Sequence, residues 1–292
     1  AQTGKKEGHS ICFAGPFMNG LNLPVNSFDK FYAIPFNKFA NVKIPFYWRA
    51  LKKKLSQILN EYRPDFVHAH NIIAAKLISE FPVPFIYDDQ EYWSKHSEFR
   101  DGLRKPQKMF VNYLWARWGK EILGKASATI TTCTTVTEEH KRLCNNVYTV
   151  PNLPALIETK SLRLFFRHTD ELFSVYEGGP DLSLCLTGAG SPRRNVEGVV
   201  QLFAHNNVGT LTVIGDPNLP SSRNVHSLGF IPHQKMMDEL TKHHVGLLPW
   251  KRNWFHKYCN PNKPYEYAHA GLLVLSISDL PCVINSLGEY CI

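Results

Sequence analysis

The sequence contains no apolar run of the roughly 18 residues that a membrane-spanning helix needs. It has no internal repeat of the solenoid kind and no low-complexity tract. Its first ten residues, AQTGKKEGHS, run directly into a short strand-like segment and do not resemble a signal peptide. We therefore expect a soluble globular chain without a leader or a membrane span.

Paired cysteines of the C-x-x-C type are also absent, and so are N-x-[ST] glycosylation sequons. The cysteines are odd in number, scattered, and partly embedded in apolar stretches such as LSLCLTG, where Cys behaves as a small hydrophobe. These patterns predict neither a disulfide framework nor a zinc site, and a reducing cytoplasm is the simplest compartment. The seven are Cys12, Cys133, Cys144, Cys185, Cys259, Cys282 and Cys291.

Apolar residues and positive charge are well represented. The chain has 292 residues, of which 43% are hydrophobic and 20% charged, enough for two folded domains. Its net charge of +8 indicates an anionic partner: a nucleotide, an anionic lipid surface or nucleic acid. The densest basic run, residues 52–54, lies on a segment of helical periodicity and is best interpreted as a solvated helix face.

Helix-like and strand-like segments alternate from about residue 48 onward, and this order predicts parallel sheets covered on both faces. The segment PNLPALIETK interrupts the alternation and reads as a linker, so we predict one α/β domain over residues 1–155 and another over 156–292. Ligands bind beyond the carboxyl ends of such strands. The chemistry is therefore expected in the loops HNI, YDDQE, TGAGSPRRN, IGDPN and PNK.

Nine phrases, in order, resemble those of the retaining glycosyltransferases of family 4. They are GHSICFAG, RPDFVHAHN, IYDDQEYW, ATITTCTTVTEEHKR, VYTVPNLP, TGAGSPRRNVEGVV, LTVIGDP, VHSLGFIPHQKMMDEL and NPNKPYEYAHAGLLVLSI. The resemblance implies the GT-B architecture of two facing Rossmann-like domains. It also implies transfer of a sugar, with retention, from a nucleotide-diphosphate sugar to a glycan, lipid or small-molecule acceptor.

The chain departs from the family pattern at both ends. The family's first strand and its Gly-rich loop precede the GH pair, which here stands at residues 8 and 9, and further helices normally follow the last phrase. We therefore expect a GT-B fold that lacks the first strand and the C-terminal helices, either as a fragment or as a member trimmed at both ends.

Basic residues are expected to stabilise the departing diphosphate, because the sequence has no D-x-D motif that would hold a metal ion. By the resemblance, Arg194 contacts the donor phosphates and Arg193 lies beside it. The family's other basic residue is replaced by Ala189 here. Solvated arginines at a helix start are the alternative. Lys263 and Asn262, at the start of a short helix, are further donor contacts.

Glu266 matches the second glutamate of the family's E-x7-E motif, which implies that it binds the ribose hydroxyls. A carboxylate suits a diol because it only accepts hydrogen bonds. A charge that favours the helix dipole is the alternative interpretation. Tyr258 stands where the first glutamate, which holds the donor sugar, is expected. Gly229 and Ile231 match the turn that reads the nucleotide base.

His68 and His70 point to the same side of a predicted strand. An H-x-H pair can bind metal, but no third ligand is evident from the sequence, so no metal site is predicted. By the resemblance, His70 lies near the reacting sugar as a positioning or polarising residue. Asp88, Asp89 and Glu91 are candidate acceptor contacts.

We thus expect a metal-independent enzyme that has no prosthetic group and uses a nucleotide sugar as donor. Its acceptor would be a carbohydrate or lipid-linked molecule. The alternative is a degenerate nucleotide-sugar-binding protein without turnover, which Ala189 and Tyr258 favour. Nucleic-acid binding is not expected, since no RNA-binding motif is present. The predicted location is the cytoplasm, with a peripheral membrane contact through the aromatic helix near Trp115, Arg117 and Lys120 left open.

Overall fold

Helices and parallel strands alternate throughout the part of the chain that can be described. The structure is a computed structural model that describes residues 2–16, 28–34, 45–96, 104–154, 173–177, 195–206, 209–216, 219 and 221–292. Among these residues, no helix combines the length and the apolar character needed to cross a membrane.

The N-terminal segment forms a two-stranded parallel sheet. Strand β1 (Cys12–Pro16) pairs in register with β2 (Lys30–Ile34). Helix α1 (Gln2–Lys6) precedes this sheet and α2 (Pro45–Tyr62) follows it, as the apolar spacing of residues 48–62 predicts. An ion pair of 2.6 Å between the Lys30 Nζ and the Glu61 Oε1 connects β2 to α2.

A four-stranded parallel sheet comes next, with its strands in chain order. It consists of β3 (Val67–His70), β4 (Phe85–Asp89), β5 (Ala128–Thr131) and β6 (Val147–Thr149). Its helices are α3 (Asn71–Ile78), α4 (Trp93–His96), α5 (Lys105–Lys125) and α6 (Thr134–Lys141). The predicted alternation of helix and strand is confirmed here.

The core of this region lies between the sheet and its helices. Tyr87 of β4 packs with Ile72 and Ile78 of α3 and with Trp115 and Ile122 of α5. Trp115 is 4% exposed. The sequence left Trp115 open as a membrane contact, but its burial assigns it to the core, because a buried ring cannot reach a lipid surface.

A five-stranded parallel sheet occupies the second half of the chain. Its order is β11-β10-β7-β8-β9, formed by β7 (Phe173–Glu177), β8 (Thr210–Ile214), β9 (Val225–Gly229), β10 (Val245–Leu248) and β11 (Leu273–Ser276). Strand β7 was not anticipated from the sequence. The strand that we expected at DLSLCLTG lies outside the described residues, as does most of the expected linker.

Helices α7 (Val196–His205), α8 (His233–Leu240), α9 (Lys263–His269) and α10 (Pro281–Leu287) belong to this second region. The described part of this region also contains two 3₁₀ helices, Trp254–Tyr258 and Gly288–Tyr290. Helix α9 ends at His269, and Gly271 follows two residues later with a φ of 87°, which suits glycine, as the sequence predicts. Gly246 of β10 lies under the Tyr267 ring of α9, and any Cβ at this position would collide with that ring.

The two larger sheets are connected by a buried cluster of residues that are distant in sequence. Tyr92 and Val136 pack there with Phe255 and Tyr258. The Asn260 Nδ2 donates to the Thr132 carbonyl at 2.7 Å. This cluster joins the region of α4 and α6 to the 3₁₀ helix Trp254–Tyr258 and to the segment just before α9. The division at residues 155 and 156 remains a prediction.

A disulfide bond also lies in this cluster, so the expectation of no disulfide was wrong. Cys133, before α6, is bonded to Cys282, in the first turn of α10, with the two Cα atoms 5.9 Å apart. A separation of 149 residues leaves no local signal, because only the packing of α6 against α10 brings the thiols together. Disulfides persist in oxidising compartments, so the cysteine pattern no longer supports a reducing one.

Candidate functional site

The carboxyl ends of β3 and β4 bring three titratable side chains together. His70 and Asp88 are register partners in this parallel pair, and His68 lies on the same face two residues earlier. The Asp88 Oδ2 is 2.9 Å from the His70 Nδ1 and 3.1 Å from the His68 Nε2. The two imidazole rings stack with their centroids 4.4 Å apart. We call His68, His70 and Asp88 the β3–β4 cluster.

Charge in this cluster is shared between a buried acid and two exposed bases. The Asp88 side chain is 6% exposed, whereas those of His68 and His70 are 42% and 62% exposed. Burial tends to raise the pKa of Asp88, but hydrogen bonds with His68 and His70 outweigh it and hold this pKa well below its ordinary value. The hydrogen bond with Asp88 raises the pKa of His70.

The three residues form a group that could hold a metal ion. One nitrogen from each histidine and one carboxylate oxygen all lie within 4.8 Å of one another. The expectation that the H-x-H pair has no third ligand is therefore corrected. Sequence spacing showed that His68 and His70 share a face, but not that Asp88 of the next strand stands opposite His70.

The neighbouring acidic residues face other partners. The Asp89 Oδ2 lies 2.7 Å from the His140 Nε2, and its Oδ1 accepts from the Trp93 backbone at 3.1 Å. Asp89 is 1% exposed and so belongs to the interior, not to an acceptor site as its sequence position suggested. Glu91 is half-exposed and its Oε2 lies 3.5 Å from the His96 Nε2. Of the predicted acceptor contacts, only Asp88 belongs to the β3–β4 cluster.

A second site forms where β9 leads into α8. Glu266, in the first turn of α9, is 7% exposed, and its Oε1 lies 2.9 Å from the Nε2 of His233, the first residue of α8. Gly229 ends β9 with a φ of 59°, and Ile231 packs on the adjacent core. The hydrogen bond thus connects the β9–α8 turn to α9. His233 was missed from the sequence, since nothing near it in the chain marks its partner.

The start of α9 carries the other predicted donor contacts. Asn262 is the N-cap residue, and its side chain does not cap the helix. Its Oδ1 is buried and has no hydrogen-bond partner among the described residues, and buried polar atoms of this kind call for a specific explanation. Lys263 follows it as the first helical residue. Arg193, Arg194 and Ala189 lie outside the described residues.

Tyr258 lies in the cluster between the two larger sheets and is 2% exposed. Its hydroxyl accepts from the Lys95 Nζ of α4 at 3.1 Å, and its ring centroid is 4.7 Å from that of Tyr92. The Lys95 ammonium also lies 4.9 Å from the centre of the Tyr258 ring. Where the resemblance predicts a carboxylate, the chain therefore has a tyrosine whose hydroxyl is engaged by the opposite half of the molecule.

Comparison with known proteins gives a likeness of fold. No protein-family model and no curated protein matches the chain. Sucrose-phosphate synthase from Thermosynechococcus elongatus is similar over 94% of this chain and 73% of its own, with a TM-score of 0.63 and 13% identity. A glycosyltransferase from Rickettsia africae is similar over 99% and 76%, with a TM-score of 0.56 and 12% identity. S. aureus MnaA, in a co-structure with UDP, is similar over 86% and 65%, with a TM-score of 0.50 and 12% identity.

The chain has the GT-B fold. The prediction of an α/β protein of this architecture is thereby confirmed. In this fold, the β3–β4 cluster and the His233–Glu266 pair both lie at carboxyl ends of parallel strands or in the segments that follow them, where ligands bind in open α/β sheets.

Proposed function

We propose that the protein is a glycosyltransferase that transfers a sugar, with retention of anomeric configuration, from a nucleotide-diphosphate sugar to an acceptor hydroxyl. The observation that carries this proposal is the pair of His233 and Glu266. A carboxylate at 7% exposure, held by a histidine at the β9–α8 turn of a GT-B fold, is placed to bind a ribose diol.

The start of α9 supports the donor assignment. Asn262 offers a buried oxygen that has no hydrogen-bond partner in the described part of the chain, and Lys263 supplies a positive charge beside it. A diphosphate is stabilised by such a charge together with backbone N–H groups. Arg193 and Arg194 complete the proposed contacts by the resemblance. UDP is the first nucleotide to test, because a structural neighbour was solved with it.

In the proposed reaction, the bond between the anomeric carbon and the diphosphate oxygen breaks, and a bond to the acceptor oxygen forms on the same face. The acceptor proton passes to the departing diphosphate, so no separate general base is needed. His70 positions the sugar. Asp88 fixes the imidazole ring of His70 through the contact with its Nδ1. No divalent ion takes part at the diphosphate, so added Mg²⁺ or Mn²⁺ should leave the rate unchanged.

The acceptor is proposed to be a carbohydrate or a lipid-linked molecule. A peripheral membrane contact would be supported by Met109, Phe110 and Tyr113 of α5, whose side chains are well exposed. Their neighbours Lys105 and Lys108 add positive charge on the same helix. Exposed apolar side chains next to basic ones suit an anionic lipid surface.

A second candidate function is binding of a nucleotide sugar without turnover. The engagement of Tyr258 by Lys95 favours it, because the expected carboxylate that would hold the donor sugar is absent. Both candidates share the nucleotide site, and only the chemical step separates them.

Thermal unfolding in the presence of nucleoside diphosphates tests the shared site. A ligand that binds only the folded chain stabilises it by about 2.7 kcal/mol when present at 100 times its Kd. We expect UDP to raise the Tm of the wild-type chain and of the control Glu138→Ala, whose carboxylate is exposed on α6. Glu266→Gln and Arg194→Ala should lose the response. No response to any nucleotide would contradict both candidates.

Turnover then distinguishes the enzyme from the binding protein. We expect release of nucleoside diphosphate from a sugar nucleotide in the presence of acceptors, and NMR of the product should show the donor's anomeric configuration. A chain that binds UDP but releases none from any sugar nucleotide would support the non-catalytic alternative.

A further inference from the structure

The β3–β4 cluster has the composition of a transition-metal site. It offers two imidazole nitrogens and one carboxylate oxygen, and its histidines keep open sides toward solvent. Imidazole suits Zn²⁺ and its neighbours in the first transition row, whereas Mg²⁺ and Ca²⁺ prefer oxygen ligands. The ligand set therefore favours a transition-metal ion such as Zn²⁺ over Mg²⁺, the ion that commonly binds diphosphates.

The present distances are close to those that a bound ion requires. With zinc–nitrogen and zinc–oxygen bonds of about 2.1 Å, tetrahedral ligand atoms lie about 3.4 Å apart. The Asp88 Oδ2 is 2.9 Å and 3.1 Å from the two histidine nitrogens, so each of these separations needs to open by only a few tenths of an ångström. A bound ion would replace the direct contacts between the Asp88 Oδ2 and the two histidine nitrogens.

The cluster is also held in place by surrounding groups. Asp88 is fixed by its strand, and its Oδ2 accepts from the Gln90 Nε2 at 3.0 Å. Hydrogen bonds of this kind orient a ligating carboxylate. His70 is the last residue of β3 and is paired in register with Asp88. All three ligands therefore sit on two adjacent strands of one sheet.

One local feature opposes a cation. Helix α3 begins directly after His70, and the positive end of its dipole points toward the cluster. Two of its first N–H groups, those of Ile73 and Ala74, already donate to the Asn71 Oδ1 at 3.0 and 3.1 Å. The carboxylate of Asp88 carries a full negative charge, which exceeds the roughly half positive charge at the N-terminus of a helix.

We propose that His68, His70 and Asp88 bind a divalent transition-metal ion, of which zinc is the probe, with the remaining coordination position open to water or to a ligand. The binding itself does not rest on the proposed glycosyl transfer. If the chain transfers sugar as proposed, an ion on His70 occupies the residue that positions the sugar, and zinc then inhibits transfer.

Titration of the tag-free, chelator-stripped chain with Zn²⁺ tests the proposal by calorimetry or by competition with a chromogenic chelator. We expect one ion per chain, with affinity lowered more than about tenfold in His68→Gln and in Asp88→Asn. The matched control is His205→Gln, which removes an exposed histidine on α7. This control should bind as the wild type does.

Cobalt substitution identifies the ligands independently of affinity. We expect visible Co²⁺ absorption bands without the near-ultraviolet band that a thiolate ligand produces, and loss of the visible bands in His68→Gln. Circular dichroism and the Tm without metal establish that each variant is folded. Absence of zinc binding, equal binding by His68→Gln, or a thiolate band would each overturn the proposal. None of these readouts requires nucleotide binding or sugar transfer. Failure of the metal-site proposal is therefore distinguishable from failure of the proposed function.

Discussion

Strand β4 ends in two consecutive aspartates that meet histidines on opposite faces of the sheet. On one face, Asp89 and His140 are 1% and 5% exposed and 2.7 Å apart. On the other, Asp88 is 6% exposed but its partners His68 and His70 are 42% and 62% exposed. The chemical groups are the same, and the two faces differ in how far the histidine side chains are exposed to solvent.

This difference separates a structural role from a binding role. His140 and Asp89 connect α6 to β4, and the Trp93 backbone donates to the other carboxylate oxygen, so both oxygens of this buried acid are engaged inside the protein. In the β3–β4 cluster the acid is fixed and the bases face outward. The histidines of this second kind of pair remain accessible to a ligand from solvent.

The largest effect is expected from breaking the buried pair. In Asp89→Ala, His140 loses its partner inside the protein, and the free energy of unfolding should fall by about 3–5 kcal/mol. Urea unfolding followed by circular dichroism measures this change. The control Glu138→Ala, at an exposed position of α6, should stay within about 0.5 kcal/mol of the wild type. Equal stability of Asp89→Ala and the control would contradict the structural role of the pair.

A buried histidine with a more distant acid extends the comparison. The His243 Nε2 lies 3.6 Å from the Glu239 Oε1, and Lys242 and His244 lie nearby. Burial, against the attraction of Glu239, lowers the pKa of His243 to about 4. The unfolded chain, with a pKa near 6.5, therefore binds the proton more readily, and stability is lost as pH falls from about 6.5 through 4.

Replacing this histidine should reduce the acid sensitivity. We expect the free energy of unfolding of the wild type to fall by up to about 3 kcal/mol over this pH window from His243 alone. In His243→Leu, the fall should be smaller by a corresponding amount. The Tm measured at pH 7, 5.5 and 4 checks this difference, and parallel curves for the two proteins would refute it.

The pair of His233 and Glu266 lies between the two extremes, with a half-exposed histidine and a buried carboxylate. In His233→Ala, Glu266 loses the hydrogen bond that orients it, and UDP affinity should weaken by about 1 kcal/mol, or about fivefold. His233→Gln, which can still donate, should retain more affinity. Calorimetry with UDP measures both, and the exposed His226→Ala on β9 is the control. A loss that His233→Gln does not relieve would speak against positioning through this bond.

The smallest effect on stability is expected from a substitution in the β3–β4 cluster. Because His68 is 42% exposed, His68→Gln should change the free energy of unfolding by less than about 0.5 kcal/mol without metal. Urea unfolding in the presence of a chelator measures it. A loss comparable to that of Asp89→Ala would place the cluster among the structural pairs instead.

Local sequence patterns predicted the elements of this fold but not its contacts. The spacing of apolar residues located α5, and the strand-like runs located β3, β4, β8 and β10, because helix and strand periodicity is encoded within a few residues. The glycine at 271 marked the end of α9 for the same reason. Strand β7 was missed because its five residues stand within a stretch that we had assigned to no element.

The arrangement of site residues was predictable only where those residues lie on one continuous segment of the chain. His68 and His70 share a strand, so their common face followed from period two. Which acid stands opposite them depends on the register of a second strand, and which histidine holds Glu266 depends on a turn 33 residues away. The contact between Lys95 and Tyr258 spans 163 residues. Tertiary packing alone determines these distances.

The bond between Cys133 and Cys282 is a covalent tether between the two larger sheets. It fastens the start of α6 to the start of α10, so these two helix starts cannot separate while the bond is intact. After reduction of the bond, only noncovalent contacts such as the packing of Tyr92 and Val136 against Phe255 and Tyr258 would hold them together.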